Sequence, residues 1–483
     1  MCAFVSDDRL FTIHNLQFMT SLYRSLGNTG YTCHPLGFGS YRINEDNPTH
    51  ERALRSYIQH GGNLIDTSAN YGDGASETLI GKILSDINRS KMIVVSKGGY
   101  IQGQNLALAQ KHDFPEVIKV QDNLWHCIHP EFLETQITRS LQRLQSDYID
   151  IYLLHNPEYF INHQSNFGPL DDTVHDAFYR RVRRAFEYLE SQVALGRIRY
   201  YGISSNNFGY HAQDRARTDV SRCWAMAEEV SPHHHFRVVQ MPMNPYEAGG
   251  AIYPTQNGLT PLEFCIKHNI GVLINRPLNA FHDNRLIRIA DYVTPGQNKP
   301  DISTLRDEMQ PLINLENEFK LRFNGSPFGD EEQGLVSYLL YIADDLPSKE
   351  HWNTVIDRYI VPPVTQWLRD QSALYSDSIV WNAWQENFVK AVNLTLDRVE
   401  KYVAYSDQKV SDRVRQRLMD SGYPSSDASL SQMALSLLIQ TQGVSCVLNG
   451  MRTESYVKDA MGALDLPAVD AKHILERFDQ SIR

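Results

Sequence analysis

Residues 64–82 read LIDTSANYGDGASETLIGK. The apolar start is that of a buried strand, and Asp66 stands at its end. Tyr71 follows five residues on, in a glycine-punctuated turn, and a helical pattern comes after it. The order strand, polar loop, helix is one βα unit that carries a carboxylate and a phenol at its loop end.

Seven further runs share the character of that strand: PLGFGS (35–40), KMIVVSK (91–97), IDIYLLH (149–155), IRYYGIS (198–204), FRVVQMP (236–242), GVLINRP (271–277) and VSCVLNG (444–450). They are continuous apolar runs rather than alternating ones, as expected of parallel strands covered on both faces. Helical patterns fill several gaps, among them HPEFLETQITRSLQRL (129–144) and VRRAFEYLESQVAL (182–195), the latter ending at Gly196 as its C′ glycine. Eight such units predict an α/β chain of the (β/α)8 TIM-barrel class, with reactive groups at the strand C-terminal ends. An open doubly wound sheet would carry G-x-G-x-x-G after its first strand, and Arg42 stands where the third glycine belongs.

The rhythm stops between strands seven and eight. Residues 282–430 show mainly helical segments such as IVWNAWQENFVKAVNLTLDRVEKYVAY (379–405) and a polar stretch, TPGQNKPDIS (294–303). A βα connection is normally a few residues long, so this is a large helical insertion. The domain plan is therefore a first barrel part over 23–281, the insertion over 282–430, and the last barrel unit with a C-terminal tail over 431–483. On the loop face the insertion would serve as a lid or substrate wall, or as a packing or partner-binding element.

The chain has 483 residues, 42% of them hydrophobic, enough for a substantial core. A net charge of −11 disfavours nucleic acid and anionic membranes as partners, while leaving room for a local basic pocket that holds a phosphate. Six scattered cysteines without a C-x-x-C pair point to a reducing compartment. The opening MCAFVSDDRLF is too charged for a secretory leader, and no later run approaches the ~20 apolar residues of a membrane span. A soluble, cytoplasmic protein is expected. The triplet HHH at 233–235 reads as a solvated loop rather than a metal site, because adjacent histidines do not converge on one ion. RVRR at 181–184 reads as an exposed helix start, and the Trp-rich helix of the insertion as core packing.

Asp66, Tyr71, Lys97 and His155 all fall at or just beyond the ends of strands two, three and four, and should meet at one mouth. The set suits proton transfer coupled to hydride transfer at a carbonyl. A phenol with an ordinary pKa of ~10 needs a nearby ammonium to bring it toward neutral pH, which Lys97 supplies. Asp66 holds Lys97 protonated, and His155 orients the substrate oxygen. The hydride requires a cofactor.

DTSANYGDGASETLIGK is similar to the D-T-A-x-x-Y-G-x-G-x-S-E-x-x-x-G-K element of the aldo-keto reductase superfamily. RSLQRLQSDYIDIYLLHNPE, GRIRYYGISSNNF, VVQMPMNPYE, GVLINRPLNA and VSCVLNGMRTESYVKDAMGAL resemble its fourth to eighth strand elements, so that the likeness covers 23–281 and about 431–465. The resemblance implies a catalytic tetrad of Asp66, Tyr71, Lys97 and His155, with Tyr71 as general acid and base. It also implies that Ser205, Asn206 and Gln240 hold a nicotinamide, that Gly450 and Arg452 surround a 2′-phosphate, and that NADP(H) is preferred to NAD(H). Arg276 replaces the usual small serine beside the pyrophosphate, and Tyr456 and Ala460 replace polar adenosine contacts. The implied activity is an NAD(P)H-dependent oxidoreductase interconverting a carbonyl (aldehyde, ketone or sugar) and an alcohol. The alternative is a cofactor-binding regulatory or scaffold protein that uses the insertion to hold a partner.

Overall fold

The structure, a computed structural model, describes residues 22–283, 285–293, 297–323, 334–375 and 378–482. Cys2, the opening MCAFVSDDRLF and residues 294–296 of the polar stretch lie outside the described residues. The chain forms two compact units, one running to Ile289 and resuming at Arg417, the other Ala290–Gln416.

The first unit is a closed barrel of eight parallel strands in sequential order. They are β1 (Leu36–Gly39), β2 (Leu64–Asp66), β3 (Ile93–Gly98), β4 (Ile149–His155), β5 (Ile198–Ser204), β6 (Phe236–Pro242), β7 (Gly271–Asn275) and β8 (Cys446–Asn449). Every residue of β4 is buried, which is why its run is unbroken in apolar character. Helices follow the strands, including Pro48–Gln59, Ala75–Leu84, Pro130–Leu144 and Asp172–Ala194. The last ends at Gly196, φ +73°, whose N–H reaches the Val193 carbonyl while that of Arg197 reaches Gln192, a Schellman stop. RVRR does not start this helix but lies inside it. The N-cap is Asp171, which accepts from Val174 N at 3.0 Å, and Val182 is buried because the apolar stripe already runs through that turn.

An N-terminal hairpin, Arg24–Ser25 with Thr32–Cys33, closes the base of the barrel. Its Gly27 sits at φ +54° against the start of β7, where a Cβ would come within 2.3 Å of Gly271 N. The hairpin drives Leu26 into the interior beside Leu64, Val95, Leu153, Val238, Leu273 and Leu448. Two elements go beyond the barrel repeat. After β3 the chain builds a three-stranded antiparallel sheet from Tyr100–Ile101, Ile118–Gln121 and Leu124–His126. After β7 it forms an antiparallel hairpin, Asn279–His282 with Arg285–Arg288.

The second unit is helical, from Ile302–Glu308 to the long helix Ile379–Asp420, whose C-terminal end belongs to the first unit. It has its own core, built on Phe319, Trp352, Trp381, Trp384 and Phe388. Trp384 and Phe388 stack at 4.7 Å, and this i, i+4 spacing is what gives the helix its aromatic stripe. The large helical insertion thus lies between β7 and β8, as its loss of βα rhythm indicates.

Candidate active site

Side chains alternate along a strand, so residues two apart share a face. Leu64 and Asp66 on β2, Val95 and Lys97 on β3, Leu153 and His155 on β4, and Val238 and Gln240 on β6 form such pairs. The apolar member of each pair belongs to the interior cluster. The polar member therefore stands one layer higher, at the C-terminal rim where barrel loops gather.

The structure brings the four expected residues together there. Lys97 Nζ donates to Asp66 Oδ2 at 2.8 Å and to the Thr67 carbonyl at 2.8 Å, and lies 3.3 Å from Tyr71 Oη. Asp66 also accepts from Gln240 Nε2 at 2.7 Å. His155 Nδ1 is 3.1 Å from Ser68 Oγ, and its ring centroid lies 6.0 Å from that of Tyr71. Lys97, Asp66 and His155 are buried and Tyr71 is half-buried at the surface of the mouth.

Tyr71 is aimed by the turn that follows it. Gly72, Asp73 and Gly74 all have left-handed backbones, with φ of 58°, 56° and 98°. Glycine adopts this at little cost. Asp73 is held there by a job of its own, accepting from Gln104 N at 3.1 Å at the start of the helix Gly103–Lys111. The Arg143 side chain packs where a Gly74 Cβ would stand, and pairs with the buried Glu77 at 2.6 Å.

Burial dominates the electrostatics. It lifts the Asp66 carboxyl and pulls the Lys97 ammonium down, and the attraction within the pair opposes both shifts. Burial, helped by the Lys97 charge and by His126, holds His155 well below its ordinary value, so the ring is neutral. Tyr71 is pushed well above the ordinary phenol value, first by burial, then by the Asp66 charge and Tyr41. Lys97 does not bring it down as expected, because the ammonium makes its short contacts with Asp66 and Thr67 and reaches Tyr71 only at the longest of its three distances.

The residues assigned to a nucleotide are placed unevenly. Gln240 stands in the polar layer, bonded to Asp66. Ser205 is not in that layer: its hydroxyl donates to Thr218 at 3.0 Å, on the outer side of β5. Ser204, one residue earlier, has the inward register, pairs with both His155 and Gln240 across the strands and donates to Gln240 Oε1 at 3.0 Å. Asn206 is half-buried and gives its backbone N–H to Glu158. Gly450 follows β8, where an added Cβ would meet only the Gly39 carbonyl, at 4.0 Å. Arg452 is half-buried and has no ion-pair partner among the described residues, whereas Arg276 is paired to Glu247 at 2.6 Å. Of the adenosine-side positions, Tyr456 is exposed and Ala460 is fully buried in the core.

These residues fit a nicotinamide dinucleotide. Glu158 Oε2, Asn275 Oδ1 and Arg276 Nε are buried at or beyond the ends of β4 and β7 without a hydrogen-bond partner among the described residues. Such orphans mark where a polar ligand is expected. No group of three or more His, Cys, Asp or Glu among the described residues is arranged to hold a metal ion. In HHH the middle ring is not solvated: His234 is buried against Trp224 at 4.6 Å, and burial pulls it down to about 4. Among the described residues no helix is long and apolar enough to cross a membrane.

The model of the aldo/keto reductase family matches residues 35–297, more than half of the chain. The chain belongs to this family. The aldo-keto reductase YhdN of Bacillus subtilis (strain 168) is 24% identical over 231 residues, 47% of this chain and 54% of that protein. The NADH-specific methylglyoxal reductase of Escherichia coli (strain K12) is 32% identical over 140 residues, 27% of this chain and 40% of that protein. The NAD(P)H-dependent D-xylose reductase of Scheffersomyces stipitis is 28% identical over 191 residues, 37% of this chain and 50% of that protein. The chain spans about half the length, or less, of these curated relatives.

Around the site of this aldo/keto reductase family chain stand residues that sequence reasoning passed over. His126, on the small sheet after β3, donates from Nε2 to the His155 carbonyl at 2.7 Å, and burial holds it neutral, down to about 4. The Tyr100 ring meets His155 edge-on at 4.6 Å, and Tyr100 Oη accepts from Asn156 Nδ2 at 2.7 Å. Tyr41 lies edge-on to Tyr71 at 5.0 Å. Glu158 is buried, and burial pushes its carboxyl up to about 7. A legible signal existed only for Glu158 and Asn156, which follow the strand-end histidine in HNPE.

Proposed function

We propose that this chain is an NAD(P)(H)-dependent oxidoreductase that interconverts a carbonyl and an alcohol, acting on aldehydes, ketones or sugars. The observation that carries the reading is the Asp66–Lys97–Tyr71 contact chain beside a neutral His155 at the barrel mouth. The relatives named for methylglyoxal and D-xylose reduction support the carbonyl class. When bound, the nicotinamide supplies or accepts the hydride.

The chain's own residues handle the proton. Tyr71 Oη, held protonated by burial, donates to the carbonyl oxygen as negative charge develops there. Lys97 Nζ, 3.3 Å away, stabilises the phenolate left behind, and Asp66 keeps that ammonium charged and in place. Ser68 Oγ lies 3.1 Å from His155 Nδ1 and 2.7 Å from Asn70 Oδ1, and when its one hydroxyl proton turns to Nδ1 rather than to Asn70 the His155 Nε2–H is free to donate to the same oxygen.

Gln240 and Ser204, tied to each other and to Asp66, are the groups for the nicotinamide amide, with Asn206 beside them. Arg452, with no carboxylate partner among the described residues, suits a 2′-phosphate, which favours NADP(H). Arg276 is assigned to the diphosphate. The test is turnover of the full chain with NADPH or NADH against D-xylose, methylglyoxal and simple aldehydes. Oxidation of either nucleotide by one of these carbonyls is expected. No turnover, together with no binding of either nucleotide, would overturn the proposal.

A further inference from the structure

One carboxylate stitches together the loops that follow β6 and β7. Glu247 Oε1 accepts from Arg276 Nη2 at 2.6 Å, and Oε2 accepts from Asn244 Nδ2 at 2.8 Å and from Phe281 N at 3.2 Å. Asn244 is fully buried, and its Oδ1 takes the backbone N–H groups of Tyr246 and Glu247 at 3.0 and 3.1 Å. Glu247 is thereby held from behind as well as in front.

Arg276 is the less settled partner. It is the first residue beyond β7 and has a left-handed backbone, φ +52°, unusual for a long side chain. Its guanidinium lies over the Phe281 ring at 4.9 Å, and its Nε–H is buried with no acceptor among the described residues. A guanidinium offers five donors in a planar fork suited to phosphate oxygens. Here one edge goes to Glu247 and the buried Nε remains unsatisfied, an arrangement that an anion at the end of β7 would relieve.

We propose that Glu247 sets how tightly this chain holds a dinucleotide diphosphate, by keeping Arg276 neutralised so that the guanidinium is shared between carboxylate and ligand instead of being dedicated to the ligand. The inference rests on the proposed nucleotide-binding function. It makes Glu247 a positioning residue: it acts through Arg276 and need not touch the reacting atoms. It also predicts a signature that Arg452 lacks. NADPH and NADH carry the same diphosphate, so a change at Glu247 alters the affinity for both by the same factor.

The experiment titrates the full chain with NADPH and NADH, reading binding by nucleotide fluorescence without any carbonyl present. Glu247→Gln keeps the shape and removes the charge, and its single amide oxygen can serve either Arg276 or the Asn244 Nδ2 and Phe281 N donors, not both. It should tighten both nucleotides by about tenfold at low salt, and the gain should shrink as added NaCl screens it. Arg276→Met in the Glu247→Gln background should abolish the gain, whereas in the wild-type background it also strands the Glu247 carboxylate and is read only through the double-mutant cycle. If Glu247→Gln does not fold, Glu247→Ala decides in the same titration: binding of both nucleotides no tighter than in wild type overturns the inference. Wild type that binds either nucleotide while Glu247→Gln binds it equally or more weakly overturns this inference alone. Wild type that binds neither overturns the proposed function and the inference with it.

Discussion

Replacing Lys97 with methionine, similar in length and able to fill the same space, removes the buried ammonium beneath the mouth. Lys97 is fully buried and Asp66 is 4% exposed, so the carboxylate left behind has little water to turn to. It keeps one good donor, Gln240 Nε2 at 2.7 Å, but loses the 2.8 Å contact to Nζ. Breaking a buried pair by removing one partner costs about 3–5 kcal/mol, and the surviving Gln240 bond argues for the lower end, about 3 kcal/mol. The double variant Asp66→Asn/Lys97→Met removes both charges and should recover most of that loss. The pH dependence has a definite sign. Burial already lifts the Asp66 carboxyl, and without Lys97 it is lifted further. The folded variant therefore takes up a proton at a pH where the unfolded chain, with a carboxyl pKa of ~3.9, does not. Its penalty is fully expressed above the raised folded value and is relieved as pH falls through it. Urea unfolding followed by circular dichroism from pH 5 to 9 reads both effects. A Lys97→Met variant as stable as wild type across that range, with no benefit from the second substitution, would refute the view that this ion pair organises the site.

Arg452→Ala should weaken NADPH about tenfold or more and NADH less than twofold in a binding titration, because only NADPH carries the phosphate that a guanidinium holds by charged hydrogen bonds; equal losses would show that Arg452 does not read it. Ser204→Ala should raise the nucleotide KM about fivefold, the scale of one lost hydrogen bond, while Ser205→Ala stays within twofold; the reverse order would return the role to Ser205. Glu158, pushed up to about 7 by burial, is protonated in the folded chain across a window where the unfolded chain is ionised. Stability should therefore fall by about 3 kcal/mol as pH rises from ~4.5 to ~7, and Glu158→Gln should remove that slope in urea melts; superimposable pH profiles for the two proteins would sink this.

The barrel was legible because parallel strands buried on both faces leave unbroken apolar runs, as in β4, and because Gly196 and the turn after Tyr71 carry local signals. The meeting of Asp66, Tyr71, Lys97 and His155 at one mouth was legible because each ends a strand or opens its loop. What escaped depended on longer-range or finer geometry. Motif likeness points to Ser205, while the two-residue period of β5 turns Ser204 toward Gln240. The sheet formed by Tyr100–Ile101, Ile118–Gln121 and Leu124–His126 has strands of two to four residues, too short to show a period, so His126 and Tyr100 went unnoticed beside His155. The pairing of Arg276 with Glu247 joins positions 29 apart in sequence, and nothing local reports it. The direction of the Tyr71 shift follows from burial, which a sequence does not display.

The central claim is that Tyr71 is the proton donor at this mouth, and Tyr71→Phe tests it most directly. The substitution removes one hydroxyl from a half-buried ring packed edge-on against Tyr41 and His155, and leaves the Asp66–Lys97 pair intact. With whichever nucleotide and carbonyl the wild type uses, the variant should bind the nucleotide with unchanged Kd and turn over ~10²–10⁴ times more slowly, the scale of positioned acid catalysis. Turnover equal to wild type at the same nucleotide occupancy would contradict the account.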